Sequence, residues 1–301
     1  MQHKGPTLIG RALSLLPKSF WKTGRRLARQ HAPYTRWGDR LVFDVDFLYQ
    51  HGRLPDRRNL FNDRLYQLFT SDRILEPERQ FSCDKYLGKI YAKGILGQDI
   101  SVPTLGVIET PDQLRRFDFP ANCAIKATHS AGRGIIRKDG AALDLAEIGK
   151  WLSSSFYQEN REANYRFLRP RIIVEPLLFD GQPVDDFKVF CYKGQVRCIL
   201  YVADRNLHFA RVMMTPDWQP LPVYLTPKTP DPLPPRPPTL GAMLKTAEQL
   251  AQPFDIVRID FFSSGNQLYL GEISHVHMRA MESFKSQEEE QILTRVIFGA
   301  E

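Results

Sequence analysis

The sequence predicts a mixed α/β chain of the α+β kind, with helices gathered in its first third and β-hairpins in its second half. Three features predict it. Leu60, Phe61, Leu65, Leu68 and Phe69 recur at helix-like spacing within residues 40–80. The runs "RIIVEPLL", "DDFKVFCYKGQVRCILYV" and "FDIVRIDFFSSGNQLYLGEIS" are apolar, and turn residues interrupt the last two at Lys193-Gly194 and Ser263-Ser264-Gly265-Asn266. Between them "TPKTPDPLPPRPP" is too rich in proline for a helix or central strand and reads as an extended connection.

The remaining elements follow in order. Residues 84 to about 93 read as a helix, residues 102–108 as a short strand and "DQLRRFDFP" as a helical turn. "NCAIKATHSAGRGIIRKDG" reads as two strands around a glycine-bearing turn. "LDLAEIGKWLSSSFYQ" is expected to be one amphipathic helix, with Leu145, Ile148, Trp151 and Leu152 on one face. "RIIVEPLL" suits a strand buried on both sides. "TLGAMLKTAEQLAQ" and "FKSQEEEQILTRVIFG" read as helices.

Composition narrows the function classes. With 301 residues, 43% hydrophobic and 25% charged, the chain is an ordinary globular one, long enough for two or three lobes. No apolar run approaches the roughly 20 residues that span a bilayer. Lys4, Arg11, Lys18 and Lys22 interrupt the N-terminal apolar residues, against a secretory signal. Cys83, Cys123, Cys191 and Cys198 lack metal-ligand spacing and read as reduced thiols of a cytoplasmic protein. The net charge of +7 is local: residues 1–38 hold eight Lys and Arg and no acid, leaving the body near neutral. A nucleic-acid groove would spread its basic residues through the folded body, so no nucleic-acid partner is expected. The segment "LIGRALSLLPKSFWKTGRRLARQ" mixes those charges with Leu, Phe and Trp. It is either a helical pair packed over the domain or a peripheral contact with an anionic membrane, and Pro17 excludes one continuous helix.

The chemistry begins at Lys126. A lysine near the end of a strand, followed by Gly132 and Gly134, is either a surface residue beside a mobile turn or part of a phosphate clamp, where backbone N–H groups and a point charge meet an anion. The loop is neither a P-loop nor a dinucleotide-binding turn, because it lacks both glycine patterns and a strand follows it. His129 in this loop is a phosphate donor or a loop cap. Further on, apolar strands each carry a charge: Glu175, Lys188, Arg258, Asp260 and Glu272. Buried charges are costly unless paired or ligand-bound, and five on neighbouring strands suggest a polyanion with its cation. Arg258 and Asp260 share a strand face, while Glu272 lies on the next strand. Two hard carboxylates favour Mg²⁺ carried by nucleotide phosphates. Lys85, Lys126, Lys188 and Arg258 would neutralise those phosphates. If the two carboxylates repel, amide replacement of either should raise stability.

The motifs "DKY…VPTLGV…IKATHSAG…RPRIIVEPLL…DDFKVFCYKGQVRCI…MLKTAEQLAQPFDIVRIDFF…LYLGE", from about Leu60 to Phe284, resemble in order the ATP-grasp superfamily and its TupA-like branch, tied to teichuronopeptide and other surface-polysaccharide synthesis. The resemblance implies an ATP-grasp fold: two α+β lobes gripping ATP, with an N-terminal helical extension. The expected divisions are 1–40 (basic extension), 41–120 (helical region), 121–178 (small lobe with the clamp) and 179–301 (large lobe with the metal site). It also implies that Lys85, Lys126, His129, Ser130, Gly132, Gly134, Glu175, Leu178 and Asp186 serve ATP, with Glu175 and Leu178 facing adenine. Arg258 and Lys188 would be catalytic, and Asp260, Glu272 and Ser274 would hold Mg²⁺. The sequence departs after Glu272. Many ATP-grasp enzymes continue with Asn and a Pro-Gly turn, whereas "GEISHVHMRAMESF" puts Ser274 at the Asn position. His275 and His277 are then acceptor-site or metal ligands, or residues of a polar loop. The implied activity is an ATP-dependent carboxylate–amine ligase acting through an acyl phosphate in bacterial cell-envelope polysaccharide synthesis, on a small-molecule or glycan acceptor. The location is cytoplasmic, or peripheral at the inner membrane face. A sugar kinase or glycosyltransferase, and a catalytically decayed nucleotide-binding scaffold, are the alternatives.

Overall fold

A computed structural model describes residues 18–56, 58–181, 184–203, 210–225 and 229–299. Two helices open it, α1 (Lys18–His31) and α2 (Arg36–His51). Residues 1–17, with Lys4, Arg11 and Pro17, lie outside the described residues. Thr35 caps α2, its hydroxyl accepting from the Gly38 N–H at 3.2 Å. The buried Arg161 bolts the link between them, donating to the Ala32 and Pro33 carbonyls and to Asp39. α3 (Phe61–Thr70), α4 (Pro77–Cys83) and α5 (Leu87–Leu96) follow.

A four-stranded antiparallel sheet comes next, in the order β1-β4-β2-β3, from β1 (Gly106–Ile108), β2 (Cys123–Ala127), β3 (Gly134–Arg137) and β4 (Ile172–Pro176). The short helices α6 (Pro111–Arg116), α7 (Leu145–Lys150) and α8 (Phe156–Asn160) connect its strands. Leu114 and Ile148 pack from this region onto Ile125, Ile172 and Val174. The second sheet is five-stranded and antiparallel, ordered β7-β6-β5-β8-β9, from β5 (Asp185–Tyr192), β6 (Gln195–Ala203), β7 (Ala210–Met214), β8 (Ile256–Ser264) and β9 (Gln267–Ser274). Both its faces are covered. Phe187, Val189 and Ile199 meet α9 (Leu240–Ala251), while Phe190, Leu200 and Val202 meet α3 and α10 (Gln287–Phe298). The alternation of one strand thus feeds two cores.

The structure corrects five sequence expectations. The helix expected from Asp84 starts at Leu87, because the Asp84 carboxylate accepts from the Tyr86 and Leu87 N–H groups ahead of α5. The strand expected over 102–108 is confined to β1, since Pro103 cannot donate to a ladder. That strand pairs with β4, so the small lobe begins before residue 121. The single helix expected from Leu145 is α7 and α8, with Ser155 restarting it by accepting from the Gln158 N–H. The turn between β8 and β9 is shorter than expected, as β8 runs through Ser264.

A close approach fixes how α5 leaves α4. A Cβ on Gly88 would stand 2.6 Å from the Ser82 carbonyl oxygen. Gly88→Ala should therefore cost about 1–3 kcal/mol, read as a lower melting temperature. An unchanged melting temperature would show that the two helices move apart freely.

Candidate functional site

The site is assembled from strand register. Lys188 on β5 lies opposite Asp260 on β8, which lies opposite Glu272 on β9. Period two then places Asp186, Lys188, Arg258, Asp260 and Glu272 on one face of the sheet. A bulge at Gly271 precedes Glu272, and its Cβ position is closed off by the Phe262 ring at 2.9 Å.

These charges partner one another. Arg258 grips Asp260 with two hydrogen bonds, 2.7 and 2.8 Å long, and reaches Glu272 at 3.1 Å. Lys188 donates to Asp260 at 2.6 Å and pairs with Asp186 at 2.9 Å. Burial raises the Asp260 carboxyl, but Arg258 and Lys188 outweigh it and hold the group well below the usual carboxylate range. Without a ligand these buried charges are already paired, opposite charges facing each other across the ladder. For Asp260 this pairing makes amide replacement destabilising, against the expectation, because two cations would lose their partner.

In the small sheet Lys126 donates to Glu175 at 2.6 Å, and Lys89 of α5 donates to the other carboxylate oxygen. Glu175 is buried, yet the two ammonium groups bring its carboxyl below the ordinary value. Leu178 is half-buried just beyond it. Lys85 donates to the Ser130 carbonyl, and the Thr128 hydroxyl donates to Asp84 at 2.8 Å, so the α4–α5 connection holds the glycine loop. Gly132 takes φ +76°, a left-handed conformation that glycine adopts freely and that strains residues with a side chain. Gly134 pairs with Lys126, and a Cβ there would press on the Ile125 carbonyl at 3.4 Å. Ser130 and His129 are buried, and burial lowers the His129 imidazole. Arg133 closes the loop onto Ser154 and Glu159. Lys85, Lys89, Gly271 and Glu272 line one narrow cleft between the α4–α5 region and β9 of the large sheet.

His275 and His277 are buried, so the polar-loop reading falls. The metal-ligand reading falls too, because each ring has both nitrogens engaged. His275 meets Arg79 at 3.2 Å and Ser82 at 2.8 Å. His277 Nδ1 meets Arg258 at 2.8 Å and Nε2 meets Glu282 at 2.8 Å. An arginine only donates, so Nδ1 of His277 accepts and Nε2 carries the proton to Glu282. Arg211 grips Glu282 from the other side, at 3.1 and 3.2 Å. Ser274 sits opposite Arg258 across the ladder.

Across residues 64–298 the sequence matches the family model described as TupA-like ATPgrasp. The chain belongs to the TupA-like ATP-grasp family. No curated protein matches it. Among solved structures, D-alanine-D-alanine ligase from Helicobacter pylori is similar, at 18% identity and TM-score 0.41, over 73% of this chain and 60% of that one. An L-amino acid ligase from Bacillus licheniformis is similar at 13% identity and TM-score 0.46, over 80% of this chain and 57% of its own. The chain thus spans less than two thirds of either ligase.

The donor set of this ATP-grasp protein is sparse for a metal ion. Among the described residues no three His, Cys, Asp or Glu side chains converge on a metal position. Two carboxylates, Asp260 and Glu272, do face each other. That fits a Mg²⁺ ion held mainly by nucleotide phosphates and water, not a protein cage. Sequence reasoning missed Lys89, Arg79, His277's partner Glu282, and Glu162. Lys89 follows Lys85 by one helical turn, a spacing that could have flagged it. The others depend on long-range packing.

Glu162 is buried, with Arg279 3.8 Å away. Burial lifts its carboxyl from 4.5 to about 7, against the pull of Arg279, Lys85 and Arg29. Between those values the folded protein holds a proton that the unfolded chain has lost, so stability falls as pH rises through this window. Glu162→Gln should raise the melting temperature above pH 7 and change it little below pH 4.5. An equal shift at both ends would show that folding leaves this carboxyl at its ordinary value.

Proposed function

We propose that this protein is an ATP-dependent carboxylate–amine ligase. The observation that carries the reading is the Asp260–Glu272 carboxylate pair, bound by Arg258, with Glu272 lining the same cleft as Lys85. A substrate carboxylate oxygen attacks the γ-phosphorus of ATP, and the bond to the ADP oxygen breaks. The acyl phosphate then meets an amine: the C–N bond forms, phosphate leaves with the C–O electron pair, and the amine loses a proton. Lys85, Lys126 and Arg258 neutralise phosphate charge, with Asp186 and Lys188 lining the reacting side. The glycine loop with His129 and Ser130 closes over the phosphates, and Glu175 and Leu178 border the nucleotide base. Asp260 and Glu272, with Ser274 beside them, would hold Mg²⁺, which supplies charge neutralisation to the phosphates. The family points to a cell-envelope sugar or uronate as acceptor and an amino acid as the other partner.

ADP and phosphate release should be followed across amino acids and envelope sugars. ADP with free phosphate supports the ligase. ADP with a phosphorylated sugar would make the protein a kinase, and no turnover on any pair would favour a nucleotide-binding scaffold. Within the same assay Glu272→Gln is the cleaner variant, because Glu272 makes one long ion pair and its side chain is 38% exposed. It should lower turnover at least about a hundredfold while leaving the melting temperature nearly unchanged. Asp260→Asn should also be inactive, but destabilised by about 3–5 kcal/mol, since Arg258 and Lys188 stay buried without it. Activity losses of the two changes should combine less than additively. Near-normal Mg-dependent turnover by Glu272→Gln would remove the carboxylate pair from the mechanism.

A further inference from the structure

Glu175 is one buried carboxylate with two lysines on it, and the two lysines differ. The register of the small sheet sets Ala124 opposite Glu175, so Lys126 lies on the same face, diagonally across from the carboxylate. Lys126 donates to one carboxylate oxygen at 2.6 Å, and Lys89 reaches the other from α5. The Lys89 ammonium also donates to the Val102 carbonyl at 2.6 Å and to the Thr104 hydroxyl at 3.1 Å. An ammonium has three protons to donate, and these three acceptors use them all. The Lys89 side chain is 10% exposed. Lys126 has Glu175 as its one acceptor among the described residues, and its side chain is 28% exposed. Its ammonium lies 6.0 Å from the centre of the Phe262 ring on β8, the ring that closes on Gly271 in the cleft wall. One lysine is locked into the fold, and the other leans toward the large sheet with two donors free.

A buried carboxylate stripped of every cation is costly, so a lysine that is its sole partner is pinned to it. With Lys89 in place, Glu175 keeps one full opposite charge whatever Lys126 does. We propose that Lys89 is the standing counter-ion of Glu175 and Lys126 an exchangeable one, which leaves the carboxylate for a phosphate of the bound nucleotide. The proposal rests on the reading of the cleft as a nucleotide site, and adds to that reading a positioning residue, Lys89, that acts through Lys126. In the empty protein Glu175 holds the Lys126 ammonium in one place, which removes part of the rotamer freedom that binding would otherwise have to freeze. When an anion arrives, the ammonium passes from one anionic oxygen to another, and neither charge is left bare. Lys89 cannot take the same part, because its three protons are already held by Glu175, Val102 and Thr104.

The test is binding of Mg-ATP and of inorganic triphosphate to the full chain, measured by calorimetry with no acceptor present. Lys89→Met should weaken both ligands at least about tenfold, because Lys126 would then be the last cation on Glu175. Adding Glu175→Gln to Lys89→Met should restore most of that affinity, since a neutral amide does not pin Lys126. A lysine that merely packed α5 would give no such recovery. Lys126→Met should also weaken binding, yet lower the melting temperature less than Lys89→Met does, because Glu175 keeps its buried partner. The proposal is overturned by wild-type affinity in Lys89→Met, by a double variant as weak as the single one, or by a wild type that binds neither ligand. It is overturned too if Lys126→Met melts as low as Lys89→Met, a comparison that stands even where Lys89→Met is too unstable for calorimetry. Mg-ATP binding without ADP formation on any substrate pair would sink the ligase reading alone, and the same affinities would still decide the exchange.

Discussion

The antiparallel register that sets Lys188, Asp260 and Glu272 side by side on β5, β8 and β9 is the constraint on which the candidate site rests. A slip of one residue would turn all three side chains to the opposite face and bury them among Val189, Ile199 and α9. Packing on both faces of the sheet therefore protects the register. The charges in turn tolerate burial because each faces its opposite. In the proposed function an incoming nucleotide would meet a set that is already neutralised, and its phosphates and cation would exchange partners with Arg258 and Lys188. Bidentate contact with Asp260 keeps the guanidinium aimed while that exchange occurs.

Support for the site comes from a second direction. His277 closes the remaining side of Arg258, and Glu282 with Arg211 fixes the ring that does so. The backbone after His277 is unusual: Met278, Arg279 and Ala280 all take positive φ, a left-handed conformation that costs about 1–2 kcal/mol per non-glycine residue. The turn persists because Arg279 is held by Asp46 at 3.0 Å and the Ala280 carbonyl meets His51 at 3.0 Å. The turn after Glu272 is thus one that tertiary contacts enforce.

Much of this was legible in the sequence. Hairpins announced themselves through Lys193-Gly194 and the alternation around Asp260, and alternation alone placed Arg258 and Asp260 on one face. The register opposite Glu272 did not follow, because it depends on the two-residue turn and the bulge at Gly271. What was not legible has a physical reason. Ion pairs such as Lys89–Glu175 and Arg79–Asp255 join residues far apart in sequence, and no local spacing encodes them. Helix ends were misread at Asp84 and Ser155, where a side chain competes with the helix for backbone N–H groups. β7 was missed because Arg211 interrupts an otherwise apolar run, and its partner Glu282 lies on another element.

The four thiols fall in different layers of the molecule. Cys83 stands in the wall of the cleft, Cys123 in the small sheet, and Cys191 and Cys198 on adjoining strands of the large one. All are buried, and burial pushes the Cys83 and Cys191 thiols up to about 12. In the closed protein they are therefore nearly inert to alkylation. Their labelling rates become four built-in clocks, each timing the opening of its own layer. A ligand that draws the lobes together would slow the clock at Cys83 while leaving the one at Cys198 tied to global unfolding.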